Sequence, residues 1–407
     1  MTNTQTAPNR PRARGIVLDL IRATPLISRV ELVGRSGLTG ATITNVVREL
    51  IDDGLVHEVG RSESRGGKPR TLLELNAGAG YTVGVQLDRF SGSIVIVDLA
   101  GHLIGRTAIK GPGVASPHVA LVRLARQIEA LLTDSDIDRS DVFGVGLATL
   151  GPQDRALGTL LSPQPTPLWL GLPMAAELEK ILGLPVLLDN DATAAAIGEY
   201  WVGGVELNSS YGCIYMAGGI GGGVVIDGEA YRGGSSNAVE IGHITMDAAG
   251  LPCSCGNRGC LEDFAGPTSI VTRALQWDGV RERLNLSGDI DDTVLDLALI
   301  NRAAIGGDPD ARSLIEYSAR YLGYAAVSLV NLFDLERIVL AGPSFAIAGA
   351  LYLPIVQAEL DGACFARRAH PVIASLSASG ADAAAVGGAV LVLRSELTPL
   401  LRRHAAP

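Results

Sequence analysis

A chain of 407 residues exceeds what one ordinary hydrophobic core organises, so two or three domains are expected. A formal net charge of −10 excludes a protein that coats nucleic acid over its whole surface. No run of eighteen consecutive apolar residues occurs, so the sequence gives no reason to expect a membrane span.

The N-terminal stretch MTNTQTAPNRPRAR lacks the apolar centre of a signal peptide. Cys213 and Cys364 stand alone, as buried thiols do, rather than in a disulfide framework. Both observations lead us to expect a cytoplasmic protein. The charge is unevenly spread: residues 1–80 carry eleven Arg and Lys against eight Asp and Glu, which leaves 22 against 35 for the remainder. A basic head on an acidic body is the balance of a DNA-binding module joined to a soluble effector domain.

Residues 1–11 are polar and proline-bearing and read as a disordered tail. Over residues 13–22, Ile16, Val17, Leu20 and Ile21 recur at helical spacing. Ser28 opens a second helix, with Glu31 as its capping-box partner, and Gly37 ends it. Thr39 caps a third helix in which Ile43, Val46, Val47 and Leu50 share one face, and Gly54 closes it. Burying that face leaves Ala41, Thr42, Thr44, Asn45 and Arg48, beside the capping Thr39, available to a major groove. Asn pairs with adenine, Thr meets a thymine methyl, and Arg reaches guanine or phosphate. Strands over 55–59 and 71–75 follow, joined by a loop bearing Arg61, Arg65, Lys68 and Arg70. This is a wing suited to phosphate or minor-groove contact, and residues 12–76 read as a winged helix-turn-helix.

From residue 80 the pattern changes to strands, over 81–87, 93–98, 103–109, 142–147 and 185–188, with helices over 118–132 and 173–182. A second block has strands over 211–216, 223–226 and 335–341, helices from residue 268 and over 311–332, and a closing helix over 383–397. Two successive blocks of this kind predict an α/β body made of a duplicated lobe with a cleft between the copies.

Within the second block His243, Cys253, Cys255 and Cys260 form a Cys3His set, the donor set of a structural zinc site with no position left for catalytic water. The run Glu240-Ile-Gly-His243, followed by Cys253-x-Cys255-Gly256-x-x-Gly259-Cys260-Leu-Glu262, resembles the signature of the ROK family of repressors and sugar kinases. The helix, helix-turn-helix and wing, followed by GGKPRTLLELN, resemble the N-terminal half of the family's repressors. The resemblance implies a two-lobed actin-like ATPase fold (sugar kinase-like, RNase H-like) over residues 80–398. One lobe would take about 80–190 plus the closing helix, the other about 191–380.

Asp189-Asn190-Asp191 ends a strand and opens an Ala-rich helix, where Asp and Asn also serve as caps. The resemblance implies that Asn190 and Asp191 bind a sugar, Asp191 standing at the position of the kinases' catalytic base. It further implies sugar contacts from Gly151, Glu240, His243 and Glu262, with His243 shared between zinc and sugar. Three nucleotide motifs depart from the kinase pattern. Arg89 and Phe90 stand in the first phosphate loop, Gly218 replaces a threonine in the run Ala217-Gly218-Gly219-Ile220-Gly221, and Gly342 is followed by Pro343. Phosphoryl transfer depends on holding the phosphates, so the expectation is a sugar sensor without turnover. The resulting reading is a sugar-responsive repressor that binds operator DNA as a homodimer or higher homo-oligomer. The alternative is an active ATP-dependent sugar kinase with a DNA-binding head.

Overall fold

The computed structural model describes residues 10–61, 69–89, 91–162, 166–202 and 209–396. The expected wing residues Arg65 and Lys68 lie outside these, as do residues 1–9 of the expected tail. The first helix, Arg10–Ala23, takes in the last two positions of that tail.

In the head, local chemistry sets the element boundaries. The Ser28 backbone N–H and hydroxyl donate to the Glu31 carboxylate at 2.9 and 2.6 Å, fixing the start of helix Arg29–Ser36. Gly37, at φ 68°, ends it. The Thr39 hydroxyl accepts from the Thr42 N–H at 3.2 Å and opens helix Gly40–Asp52, whose Ile43, Val46, Val47 and Leu50 are buried. Strands Val56–Arg61 and Thr71–Leu75 pair antiparallel. A third strand, Ile27–Ser28, joins them by pairing with Thr71–Leu75. Two residues are too few to show alternation in a sequence, so that strand was not expected.

The body holds two five-stranded sheets of the same topology. In the first, Val186–Asn190, Val142–Thr149 and Tyr81–Leu87 run parallel, and Ser91–Asp98 and Leu103–Lys110 continue antiparallel. In the second, Ile373–Leu376, Arg337–Ala341 and Tyr211–Met216 run parallel, and Ile220–Ile226 and Glu229–Ala230 complete the antiparallel edge.

Two helices fill the space between the sheets. Asp191–Val202, here the central helix, packs on Tyr211–Met216 and Ile220–Ile226, whereas the closing helix Ala383–Glu396 crosses Tyr81–Leu87 and Val142–Thr149. They also pack on each other, at backbone contact. A Cβ on Gly146 would fall 1.8 Å from the Gly388 carbonyl oxygen, and one on Gly387 would fall 1.7 Å from that of Ala194.

Helices Thr293–Ile305 and Pro343–Ala363 were not expected. The second is long and apolar enough to cross a membrane by length and composition. Here it packs along helix Pro309–Phe333, with Phe345, Ala348, Tyr352, Val356 and Leu360 buried in the core of the second lobe.

Candidate functional site

In open α/β sheets ligands settle outside the carboxyl ends of the parallel strands. Here Thr149 pairs with Asn190 at those ends, and the two following segments build the site. The Asn190 side-chain oxygen accepts from the Thr193 N–H at 3.0 Å, so the residue does cap the central helix. Its amide nitrogen remains for other work. A Cβ placed on Gly151 would lie 3.3 Å from Asn190 Nδ2, 3.2 Å from Glu240 Oε1 and 3.7 Å from Asn237 Oδ1. Gly151 is therefore bare backbone ringed by three polar side chains, and any side chain there would fill the space they surround.

Asp191 is the first residue of the central helix, and its carboxylate accepts from the Ala192 N–H at 2.8 Å. Burial pushes its carboxyl up to about 8, with the nearby charges of Asp88 and Glu240 adding to the shift. Glu262 accepts from the Ile220 N–H at 2.8 Å and is pushed up to about 7 by desolvation. Of the expected sugar contacts, Gly151, Asn190 and Glu240 thus converge directly. Glu262 instead pins the strand that follows the glycine run.

The expected metal ligands are together. The donor atoms of His243, Cys253, Cys255 and Cys260 lie within 4.8 Å of one another. His243 Nδ1 is 3.7 Å from Cys253 Sγ, and Cys255 Sγ is 3.7 Å from Cys260 Sγ. A tetrahedron with Zn–S bonds of 2.3 Å has edges of about 3.8 Å, which the two 3.7 Å pairs match and the widest pair exceeds by no more than about 1 Å, so the donor set fits that ion after small side-chain shifts. Because Nδ1 faces the thiols, Nε2 is the ring atom left for a ligand. The loop is braced by the Cys253 N–H donating to the Asn257 carbonyl at 2.8 Å, and by the Asn257 amide donating to the His243 carbonyl at 3.0 Å. Glu240 caps the single turn Ile241–His243, and Glu262 lies in the short helix Leu261–Ala265 that Cys260 caps. The cluster therefore sets the spacing of both acids.

Asp88 ties the first phosphate-loop stretch to the glycine run. Its carboxylate accepts from the Arg89 N–H at 2.6 Å and from the backbone N–H of Gly218 in the second lobe. A donor of the glycine run is thus engaged by Asp88, whose carboxyl burial pushes up.

On the head, Thr39, Ala41, Thr44, Asn45, Arg48 and Arg70 are exposed, and Thr42 is half-buried. Arg48 donates to Asn45 Oδ1 at 3.2 Å, and the Thr44 hydroxyl donates to the Gly40 carbonyl at 2.8 Å.

Sequence reasoning missed two ties between the lobes. Gln153 N–H donates to Asn237 Oδ1 at 2.8 Å, and Asn237 Nδ2 donates back to the Gln153 carbonyl at 2.9 Å. Buried Asp189 accepts from Arg155 at 3.1 Å and from Arg232 at 2.7 Å. Single Asn, Gln and Arg residues so far apart carry no local signal.

Residues 91–395 match the ROK family. The chain belongs to the ROK family. Among curated relatives, a protein named putative xylose repressor from Caldicellulosiruptor sp. strain Rt8B.4 is 30% identical over 384 residues, covering 94% of this chain and 95% of its own. The DNA-binding transcriptional dual regulator NagC of Escherichia coli K12 is 27% identical over 390 residues, covering 93% and 91%. A solved ROK family transcriptional regulator, described as a homolog of the E. coli MLC protein, superposes with a TM-score of 0.74 at 27% identity, covering 96% of this chain and 98% of that one. A ROK glucokinase from Streptomyces griseus, solved with glucose and AMPPNP, gives 0.64 at 28% identity, covering 77% of this chain and 99% of its own.

Proposed function

We propose that this ROK protein is a sugar-responsive transcriptional repressor, with a winged helix-turn-helix head over about residues 12–76 and a sugar-sensing body over about 80–398. The observation that carries the reading is the ring of Asn190, Asn237 and Glu240 around bare Gly151, in a cleft between two lobes, on the same chain as a three-helix head. Relatives matching nearly the full length are named repressors, which supports it.

The exposed side chains of helix Gly40–Asp52 read the major groove, with Arg70 at the root of the wing against the phosphates. One such head covers too few base pairs for useful specificity, so the repressor works as a homodimer on a two-fold operator. His243, Cys253, Cys255 and Cys260 hold a structural zinc ion, which stabilises the loop chemically rather than catalysing a step. In the cleft, Asn190 and Glu240 hydrogen-bond sugar hydroxyls, and Asp191 binds a further hydroxyl beneath them. Arg89 in the first phosphate loop, Gly218 in place of a threonine and Pro343 after Gly342 remove contacts that hold phosphates, and on this reading the chain senses sugar without turning it over.

The test is fluorescence anisotropy of the purified protein on DNA from upstream of its own gene, with scrambled DNA as control and a panel of sugars. Specific binding changed by one sugar is the expected result. Binding indifferent to every sugar, together with ADP release on any hexose that Asp191→Asn abolishes, would establish the kinase instead.

A further inference from the structure

Helix Pro309–Phe333 packs its inner side on the second lobe, yet its outer face is not built like a solvated one. Tyr317, Tyr321, Tyr324, Ser328, Asn331 and Leu332 follow one another at spacings of three and four residues, so they share that face. None of the six is charged, and Arg320 stands at their margin. The aromatic rings form a ladder. The Tyr317 and Tyr321 centroids lie 5.0 Å apart, those of Tyr321 and Tyr324 5.7 Å apart, and Phe264 stacks on Tyr321 at 4.5 Å. The Arg273 guanidinium covers the Tyr317 ring at 4.5 Å and donates to its hydroxyl at 3.2 Å. Each ring is thus held by a neighbour, which lowers the entropy lost when a partner covers it. Tyr324, at the middle, is exposed. At the far end Leu332 is 76% exposed, and Phe365, whose N–H donates to Asn331 Oδ1 at 2.9 Å, is 90% exposed.

Tyrosine, phenylalanine and arginine are enriched at the buried centre of protein interfaces, and Asp, Glu and Lys are depleted there. From Tyr317 to Leu332 the face is about 22 Å long, while a standard interface of about 800 Å² per partner is about 30 Å across. A face of this length supplies the centre of one. Charge then points to the partner. After residue 80 the chain carries 35 Asp and Glu against 22 Arg and Lys, and a two-fold contact sets a surface against itself. An acidic face repels its own copy, whereas this uncharged one does not. We propose that it is where two copies of the chain join, with the two-fold axis near Tyr324. An axis normal to the face sets the two helices antiparallel, so Tyr324 meets its counterpart and Tyr317 meets the Leu332 of the second copy. Tyrosine hydroxyls both donate and accept, so they pair with their own kind. The assignment rests on the homodimer reading and gives that dimer its contact surface.

Sedimentation of the full chain at micromolar concentration tests it, with Tyr324→Glu and Leu332→Glu as variants. Arg126→Glu, at an exposed position of helix Pro117–Asp134, is the control. The native chain and the control should sediment as dimers. Each variant on the face brings two new carboxylates into one dimer contact and should weaken self-association at least about a hundredfold. Melting curves should stay close to native, because both side chains are exposed. Loss of the dimer in either variant, with melting unchanged, upholds the assignment. Two variants that dimerise as tightly as the native chain overturn it and leave the homodimer to another face. A native chain that stays monomeric, both free and on an operator with two half-sites, overturns it together with the homodimer reading. The face then belongs to a different protein. Sugar titrations on the same samples keep the sensor reading separate from either failure.

Discussion

The guanidinium of Arg22 lies 3.9 Å from the centroid of the Trp201 ring and donates to the Trp201 backbone carbonyl at 2.7 Å. Arg22 is near the end of the head's first helix, and Trp201 is near the end of the central helix. The central helix begins at Asp191, so its twelve residues span about 18 Å between the proposed sugar site and the head. Between Asp191 and the contact with Arg22 the chain is one continuous helix, with no loop.

Arg22→Met keeps the aliphatic stem and removes the cation. Titrations of sugar alone should change little, while the effect of sugar on operator affinity, typically ~1–3 kcal/mol for such couplings, should shrink. An undiminished sugar effect on DNA binding would remove this contact from the route.

Asp191 makes stability depend on pH. The folded chain holds a proton there up to about 8, while an unfolded carboxyl loses it near the ordinary value of about 4. Its contribution is therefore fully present below about pH 4 and is lost as pH rises to about 8. Asp191→Asn keeps the neutral shape. Urea midpoints should show the variant gaining on the native chain between about pH 5 and about pH 8. Parallel curves would mean that Asp191 is charged throughout.

Zinc removal should act on sensing before folding. Mass spectrometry of the native protein should find one zinc per chain, and Cys255→Ser should bind less of it. The metal loop sets Glu240 and Glu262, so the variant should keep operator binding and lose its response to sugar. A metal-free Cys255→Ser protein that still answers sugar fully would defeat this account.

On the head, Asn45→Ala should relax base preference at one operator position at a cost of ~1–3 kcal/mol. Arg70→Ala, at the root of the wing, should weaken all sequences about equally and reduce the salt slope by about one. Binding assays on single-base operator variants, at several salt concentrations, separate the two patterns.

The ends of the head's helices were legible because their causes are local. Ser28 with Glu31, and Thr39 with Thr42, are hydrogen-bonded pairs three residues apart. The Cys3His cluster was legible for a similar reason, since a loop of about twenty residues carries all four donors. Asn190 and Asp191 stood out at a strand-to-helix junction. The contact between Gln153 and Asn237 was not legible, because residues 84 apart meet only once both lobes exist. Helix Pro343–Ala363 escaped for the opposite reason. Apolar on nearly every side and interrupted by Pro354, it shows no preferred face to a periodicity argument.

Where the closing helix meets the central helix at Gly387 and strand Val142–Thr149 at Gly388 and Gly146, backbone lies against backbone, with no room for even one added carbon. Changes in that joint disturb both lobes together, whereas a change at an exposed position of the head such as Asn45 leaves it untouched. The chain's freedom to acquire new effectors and new operators is therefore confined to its head and its cleft. The joint relating them is the part least able to vary.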